Sequence, residues 1–281
     1  MRITIKTVIL ISCIISMPFL ASSQENEPSA LDKVKWQKGP GVGELGKIAE
    51  VEIPEGYIFA DKNDTRIIME AMQNPVSEQE LGFIARMESN WYLVFEFDET
   101  GYIKDDEKDS LDADELLKSI KDANEEANRV RSERGWEVLN ILGWEQPPQY
   151  NTETHNLEWA IRAESKGEPV INWNTRLLGR KGVMRVTLVA EPGILDQALP
   201  DYQSLLNGFD YKSGNRYSEY RKGDKIAKYG LSALVAGGAT AVAAKTGILK
   251  YLWKGLVVAF LAAAAFFRKI FNRRKNSGTG M

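Results

Sequence analysis

At 281 residues the chain has room for one sizeable domain with accessory segments, and its net charge of −3 conceals a strong asymmetry. All 39 acidic residues fall between Gln24 and Lys225, against 25 Lys and Arg, a net of −14, whereas nine basic residues and no acid follow Lys225. An acidic body repels phosphate and so excludes nucleic acid as a partner, and a single cysteine, Cys13, excludes a disulfide framework.

The first 23 residues read as an export signal. Arg2 and Lys6 precede an apolar run from Val8 to Leu20, and Ala21-Ser22-Ser23 supplies a small-residue cleavage site, placing the cut after Ser23. Leu10-Ile11-Ser12-Cys13 has an alternative reading as a lipoprotein box with Cys13 acylated, but the apolar run continues well past Cys13. Residues 24–47 are polar and rich in Gly and Pro, the composition of an exposed leader. The folded domain is expected over residues 48–212.

Within it, IAEVEIPEGYIF (48–59) reads as two short strands about a Pro-Glu-Gly turn. Asn63 or Asp64 is placed to cap a short helix from Thr65 to Met72, and WYLVFEFD (91–98) is a strand whose Glu99-Thr100-Gly101 turn predicts a hairpin with Tyr102-Ile103-Lys104. The clearest helix follows. Apolar residues at 113, 116, 117, 120, 123, 127 and 130 form one stripe, with acids in the first turn, arginines near the last, and Gly135 to end it. Three segments of period two come next, HNLEWAIRA, VINWNTRLLG and GVMRVTLVA, joined by links too short for a crossover helix and therefore antiparallel. Leu157, Trp159, Ile161 and Ala163 share one face of the first. A helix from Leu195 to Leu206 and a strand from Phe209 to Tyr211 complete an α+β fold: a mostly antiparallel sheet packed by a long helix.

Several residue groups invite a chemical role. His155, the only histidine, is a candidate general base with Glu153 or Glu158 to orient it; a turn histidine bonded to the backbone is the simpler alternative. No Gly-x-Ser-x-Gly element, reactive cysteine, HExxH or CxxC pair accompanies it, so a catalytic constellation is incomplete and an enzyme is the less favoured reading. Asp105, Asp106, Glu107 and Asp109 are dense enough in oxygen to hold calcium, but they lack the spacing of an EF-hand loop and suit a solvated turn. Arg180 and Lys181, between Gly179 and Gly182, offer a weak anion site or a plain hairpin turn. Trp136, Trp144, Trp159 and Trp173 would stack on sugars if exposed and serve the core if buried. No cofactor motif is found.

The C-terminal region is apolar and basic. ILKYLWKGLVVAFLAAAAFF (248–267) is long enough to cross a membrane, with Lys250, Tyr251, Trp253 and Lys254 suited to an interface. Residues 213–247 form a juxtamembrane, Gly/Ala-rich segment whose Ala233, Gly237 and Ala241 recur every four residues, the small-residue ridge on which membrane helices pack, so this segment is a candidate first span. One crossing is favoured over two, because it brings Arg268, Lys269, Arg273, Arg274 and Lys275, in the basic tail 268–281, to the cytoplasmic side.

GYIKDDEK (101–108), GW followed by PPQYNTETHNLEWA, LGRKGVM (178–184) and YGLSALVAGG (229–238) together resemble the bacterial membrane-anchored family known as domain of unknown function 2167. The resemblance implies an extracytoplasmic domain on an inner-membrane anchor and no established activity. A looser likeness in fold, carried by VEIPEGY, the late strands and LLNGFDY, is to PsbP- or Mog1-type domains. The expectation is a periplasmic interaction or sensing module, with membrane, other envelope proteins or a second copy as partners. The alternatives are a hydrolase using His155 with a nearby carboxylate, and a small-ligand-binding domain.

Overall fold

The computed structural model describes residues 30–236 apart from positions 75 and 88. An eight-stranded, wholly antiparallel sheet carries the architecture, in the order β1 (Gln37–Lys38), β4 (Tyr57–Asp61), β5 (Glu80–Arg86), β6 (Trp91–Asp98), β10 (Val183–Ala190), β9 (Glu168–Leu178), β8 (Asn156–Ser165) and β7 (Asn140–Asn151). A smaller sheet orders β11 (Phe209–Tyr211), β3 (Ala49–Ile53) and β2 (Gly41–Leu45). Among the described residues four α-helices pack on these sheets: α1 (Lys62–Ala71), α2 (Ala113–Glu133), α3 (Leu195–Asn207) and α4 (Leu231–Val235).

Period-two alternation divides the core between the two faces of the large sheet. On one face Leu93, Phe95, Trp173, Met184 and Val186 meet α3 and the small sheet through Tyr202, Leu205 and Val51. On the other, Leu157, Trp159, Ile161 and Ala163 meet Leu116 of α2 and Leu231, Leu234 and Val235 of α4, as their shared face predicted. A separate cluster seats Ile68 of α1 on Phe83 and Val94.

The long helix starts and stops for the expected reasons. Asp112 caps it by accepting hydrogen bonds from Asp114 and Glu115 N–H groups at 3.0 Å each, and Gly135 takes the left-handed conformation at φ 67°. In α1 the cap is Asp61 rather than Asn63 or Asp64; its Oδ1 accepts from both of their N–H groups. The helix therefore begins earlier than the sequence suggested.

Four differences from the sequence reading have physical causes. The segment expected as an exposed leader holds β1 and β2, with Val34 and Leu45 buried; its glycines serve close packing, since a Cβ on Gly43 would lie 2.8 Å from the Phe59 ring. Tyr102 forms no hairpin with β6. Its backbone bridges in parallel to Ile226, and its N–H donates to Lys225 O at 2.8 Å. Strand β5 was not foreseen, and neither was β7, which carries Gly143, Pro147 and Pro148; β7 lies at the sheet edge, where prolines are tolerated, and its register shifts repeatedly against β8. Finally, the domain does not close at residue 212. Residues 213–236 run back as a strap across the α2 side and end in α4, whose Leu231 is fully buried. Ala233 lies within α4, whereas Gly237 and Ala241 lie outside the described residues, as do the segment 248–267 and the signal. Among the described residues no helix is long and apolar enough to cross a membrane.

Candidate functional site

Strands β7 and β8 are joined by Thr152, Glu153, Thr154 and His155. Asn151 Oδ1 shapes the turn by accepting from Glu153 N at 2.9 Å and Thr154 N at 3.1 Å, and His155 completes it at φ 54°. Below the turn, β8 sends Leu157 to the α2 face and Glu158 to the α3 face. The hairpin end therefore serves two different environments.

On the α2 face it meets the strap. Tyr150 Oη donates to Asp105 Oδ2 at 3.1 Å and stands 3.2 Å from His155 Nδ1, with Asp105 and His155 themselves 3.9 Å apart. With the Tyr150 proton assigned to Asp105, His155 Nδ1–H donates to the phenol oxygen and Nε2 is left as the acceptor. The His155 ring tilts against Tyr217 at 4.5 Å, and Tyr217 stacks on Tyr102 at 4.5 Å while donating to Ile103 O at 3.0 Å. Burial, reinforced by Asp105, pushes the Tyr150 phenol up, and burial with Tyr102 does the same for Tyr217, so both stay protonated donors. The expected pairing of His155 with Glu153 or Glu158 is not formed: Glu153 is exposed in the turn, and Glu158 lies on the opposite face. Among the described residues the side-chain hydrogen bond and ion pair of His155 run to Tyr150 and Asp105.

On the α3 face an open groove of about 800 Å³ runs between the hairpin end and the C-terminal end of α3 with β11. Gln149, Asn151, Thr154 and Asn156 form one wall, Gln203, Asn207 and Phe209 the other, and Glu158 and Leu177 the floor. Glu158 Oε1 accepts from Thr175 Oγ1 at 3.2 Å, and Tyr202 Oη donates in turn to Thr175 Oγ1. The buried indole N–H of Trp173 lies close to the same carboxyl without completing a hydrogen bond. Burial raises the Glu158 carboxyl above the ordinary carboxylate range, against the opposing pull of Thr175 and Trp173. No Lys, Arg or His pairs with it among the described residues. Thr175 and Tyr202 were missed at the level of sequence; the signal was a lone polar residue at Thr175 on the apolar face formed by Ile171, Trp173 and Leu177.

The remaining candidates are dispersed or already engaged. Of the acidic run, Asp105 turns to Tyr150, Glu107 Oε2 accepts from Ser232 N at 2.9 Å at the start of α4, and Asp106 and Asp109 are exposed. Among the described residues no group of acids, His or Cys is arranged to hold a metal. Arg180 is committed to Asp224 through two hydrogen bonds, Nε to Oδ2 at 2.7 Å and Nη2 to Oδ1 at 2.8 Å, while Lys181 sits exposed at the β9–β10 turn. That pair fastens the strap instead of accepting an anion. Trp159 and Trp173 are buried core residues; Trp144 donates from Nε1 to Ala113 O at 3.1 Å, and Trp136 is covered by the Arg134 guanidinium. None of the four is a bare platform for a sugar.

The solved structure of cyanobacterial PsbP (CyanoP) from Synechocystis sp. PCC 6803 is similar at 11% identity and a TM-score of 0.35, covering 68% of this chain and 98% of its own. The Saccharomyces cerevisiae Ran-binding protein Mog1p is similar at 12% identity and a TM-score of 0.33, covering 66% and 100% respectively. No curated protein matches the sequence. The family described as "Protein of unknown function (DUF2167)" matches residues 37–267, from the first strand of the sheet through the apolar C-terminal segment, and the chain belongs to that family.

Proposed function

We propose that this chain is a membrane-anchored binding module of the bacterial cell envelope, not a catalyst, and that its recognition surface is the groove between the β7–β8 end and α3. The observation that carries this reading is Glu158: a carboxyl at the floor of an open groove, partly desolvated and without a counter-cation among the described residues. A group of that kind costs folding free energy, and a ligand that supplies its missing partner recovers it. The hydrolase reading is the weaker one, because His155 is engaged with Tyr150 and Asp105 and its ring is packed on Tyr217.

The rest of the proposal comes from sequence. The N-terminal signal delivers the domain to the periplasmic side, residues 248–267 cross the inner membrane once, and the basic tail stays in the cytoplasm. Partners are envelope components or a second copy of the chain. Placing a photo-crosslinking residue at Gln203 or Asn207, both exposed on the groove wall, and at Glu125, exposed on α2, tests this in living cells. Reproducible adducts from the groove positions and none from Glu125 are expected. Equal or absent labelling from both faces would sink the proposal.

A further inference from the structure

The lining of the groove restricts what it can hold. Its charged side chains are Glu153, Glu158 and Asp210, with no Lys, Arg or His among them. A phosphate or carboxylate ligand would meet acids without a cation to receive it. A polycation is poorly served as well: Asp210 is already paired with Arg216 through two hydrogen bonds, and burial disfavours the charged form of Glu158. Glu153, exposed in the turn, is the one acid left over. A purely apolar ligand would strand the amide side chains of the lining, Gln149, Asn151, Asn156, Gln203 and Asn207.

What remains is a neutral molecule dense in hydroxyls. Gln149, Asn156, Gln203 and Asn207 each present a donor and an acceptor side by side, the pattern that matches two adjacent hydroxyl groups, and Asn151, whose Oδ1 is taken by the turn, adds its N–H donors. Glu158 keeps acceptor capacity after taking the Thr175 hydroxyl, and so can receive a ligand O–H at the floor. Phe209, standing edge-on to Tyr211 at 5.0 Å, gives the α3 wall an apolar patch for the C–H face of a sugar ring. A volume of about 800 Å³, open to solvent, has room for more than one sugar ring. We infer that the groove binds a neutral oligosaccharide, with the wall amides gripping its hydroxyls and Glu158 accepting one of them at the floor. This rests on the binding-module reading and specifies its ligand.

The test uses the full chain in a detergent that has no sugar headgroup, titrated by calorimetry with the tetrasaccharide of N-acetylglucosamine, with maltotetraose and with tetralysine. Saturable binding of one of the two saccharides is expected. The N-acetylglucosamine chain would point to an envelope glycan as the source and maltotetraose to a free glucan. Asn207→Ala and Gln203→Ala, both at exposed positions, should each weaken it by about threefold to tenfold, the worth of a lost neutral hydrogen bond. Glu158→Gln should retain binding within about tenfold, since an amide oxygen still accepts from a hydroxyl. No saturable binding of either saccharide up to about 10 mM would overturn the inference, and so would tetralysine binding that Glu158→Gln abolishes. Persistence of the groove cross-links in either case leaves the binding-module reading standing, so the two failures are distinguishable.

Discussion

The two faces of one hairpin end differ in how their polar groups are used. Toward α2, Tyr150, Asp105, His155, Tyr217 and Tyr102 satisfy one another across the strap, and the product is a fastening. Toward α3, Glu158 is supported from behind by Thr175 and Tyr202 and is open in front. A polar cluster closed on itself contributes to stability, whereas one left open toward a groove is held ready for something outside the fold. His155 is the residue type that attracts attention in a sequence, yet the face it occupies is the structural one.

The largest expected departure comes from the closed face. Trp159→Ala empties a nearly fully buried site under α2 and removes the ring on which the Arg176 guanidinium lies, 4.5 Å away, and it should cost about 3–5 kcal/mol in urea unfolding. Asn207→Ala on the groove wall should stay within about 0.5 kcal/mol in the same assay. If the two variants proved equally destabilising, the contrast between a structural and a receptive face would fail.

A middle-sized effect is expected at Tyr211, which lines the groove but turns its hydroxyl into the core. Tyr211 Oη donates to Leu177 O at 2.7 Å and accepts from Met184 N at 2.8 Å, all of it buried, so Tyr211→Phe leaves two backbone groups without partners and should cost about 1–3 kcal/mol. A ligand-binding role for the groove predicts that saccharide affinity in Tyr211→Phe changes far less than stability does.

Glu158 gives a pH signature of known sign. Its carboxyl is raised on folding, so the native state holds a proton more tightly than the unfolded chain, and stability declines as pH climbs from the ordinary carboxylate range through the raised value. Glu158→Gln should therefore melt higher than the parent chain at neutral pH, with the difference shrinking toward pH about 4. A parent chain more stable than the variant at neutral pH would reverse the assignment of Glu158 as a strained, receptive group.

The smallest effect is expected at the strap. Arg180 and the Arg221 N–H hold the Asp224 carboxyl down to about 2. This contribution is complete above the ordinary aspartate range and is lost only as pH falls toward that value. Asp224→Asn should leave the global melting midpoint nearly unchanged while speeding proteolysis within residues 213–230. Unchanged cleavage there would show that the tyrosine stack and α4 alone secure the strap.

Part of this contrast was legible in the residues. Leu157, Trp159, Ile161 and Ala163 announce a buried face, and alternation along the same strand sets Glu158 on the opposite one. Asp105 as the acid near His155 was not legible. It comes from a loop preceding α2, and its bond to Tyr150 spans 45 residues. The strap was obscured for a similar reason: Arg180, which reads as a turn cation, and its partner Asp224 are 44 residues apart and meet only because the chain doubles back.

Sequence alone determined the α+β class, the long capped helix, the succession of antiparallel strands and the division of the chain into an acidic body and a basic, apolar end. These follow from local periodicity, capping and composition, which act over a few residues. Tertiary structure decided that β2 belongs to the core, that residues 213–236 fold back onto α2, and that Glu158 faces a groove while His155 closes a latch. Those outcomes depend on which distant segments meet, and the free energy that selects them is the burial of Leu45, Leu231 and Trp159 against partners far away in the chain.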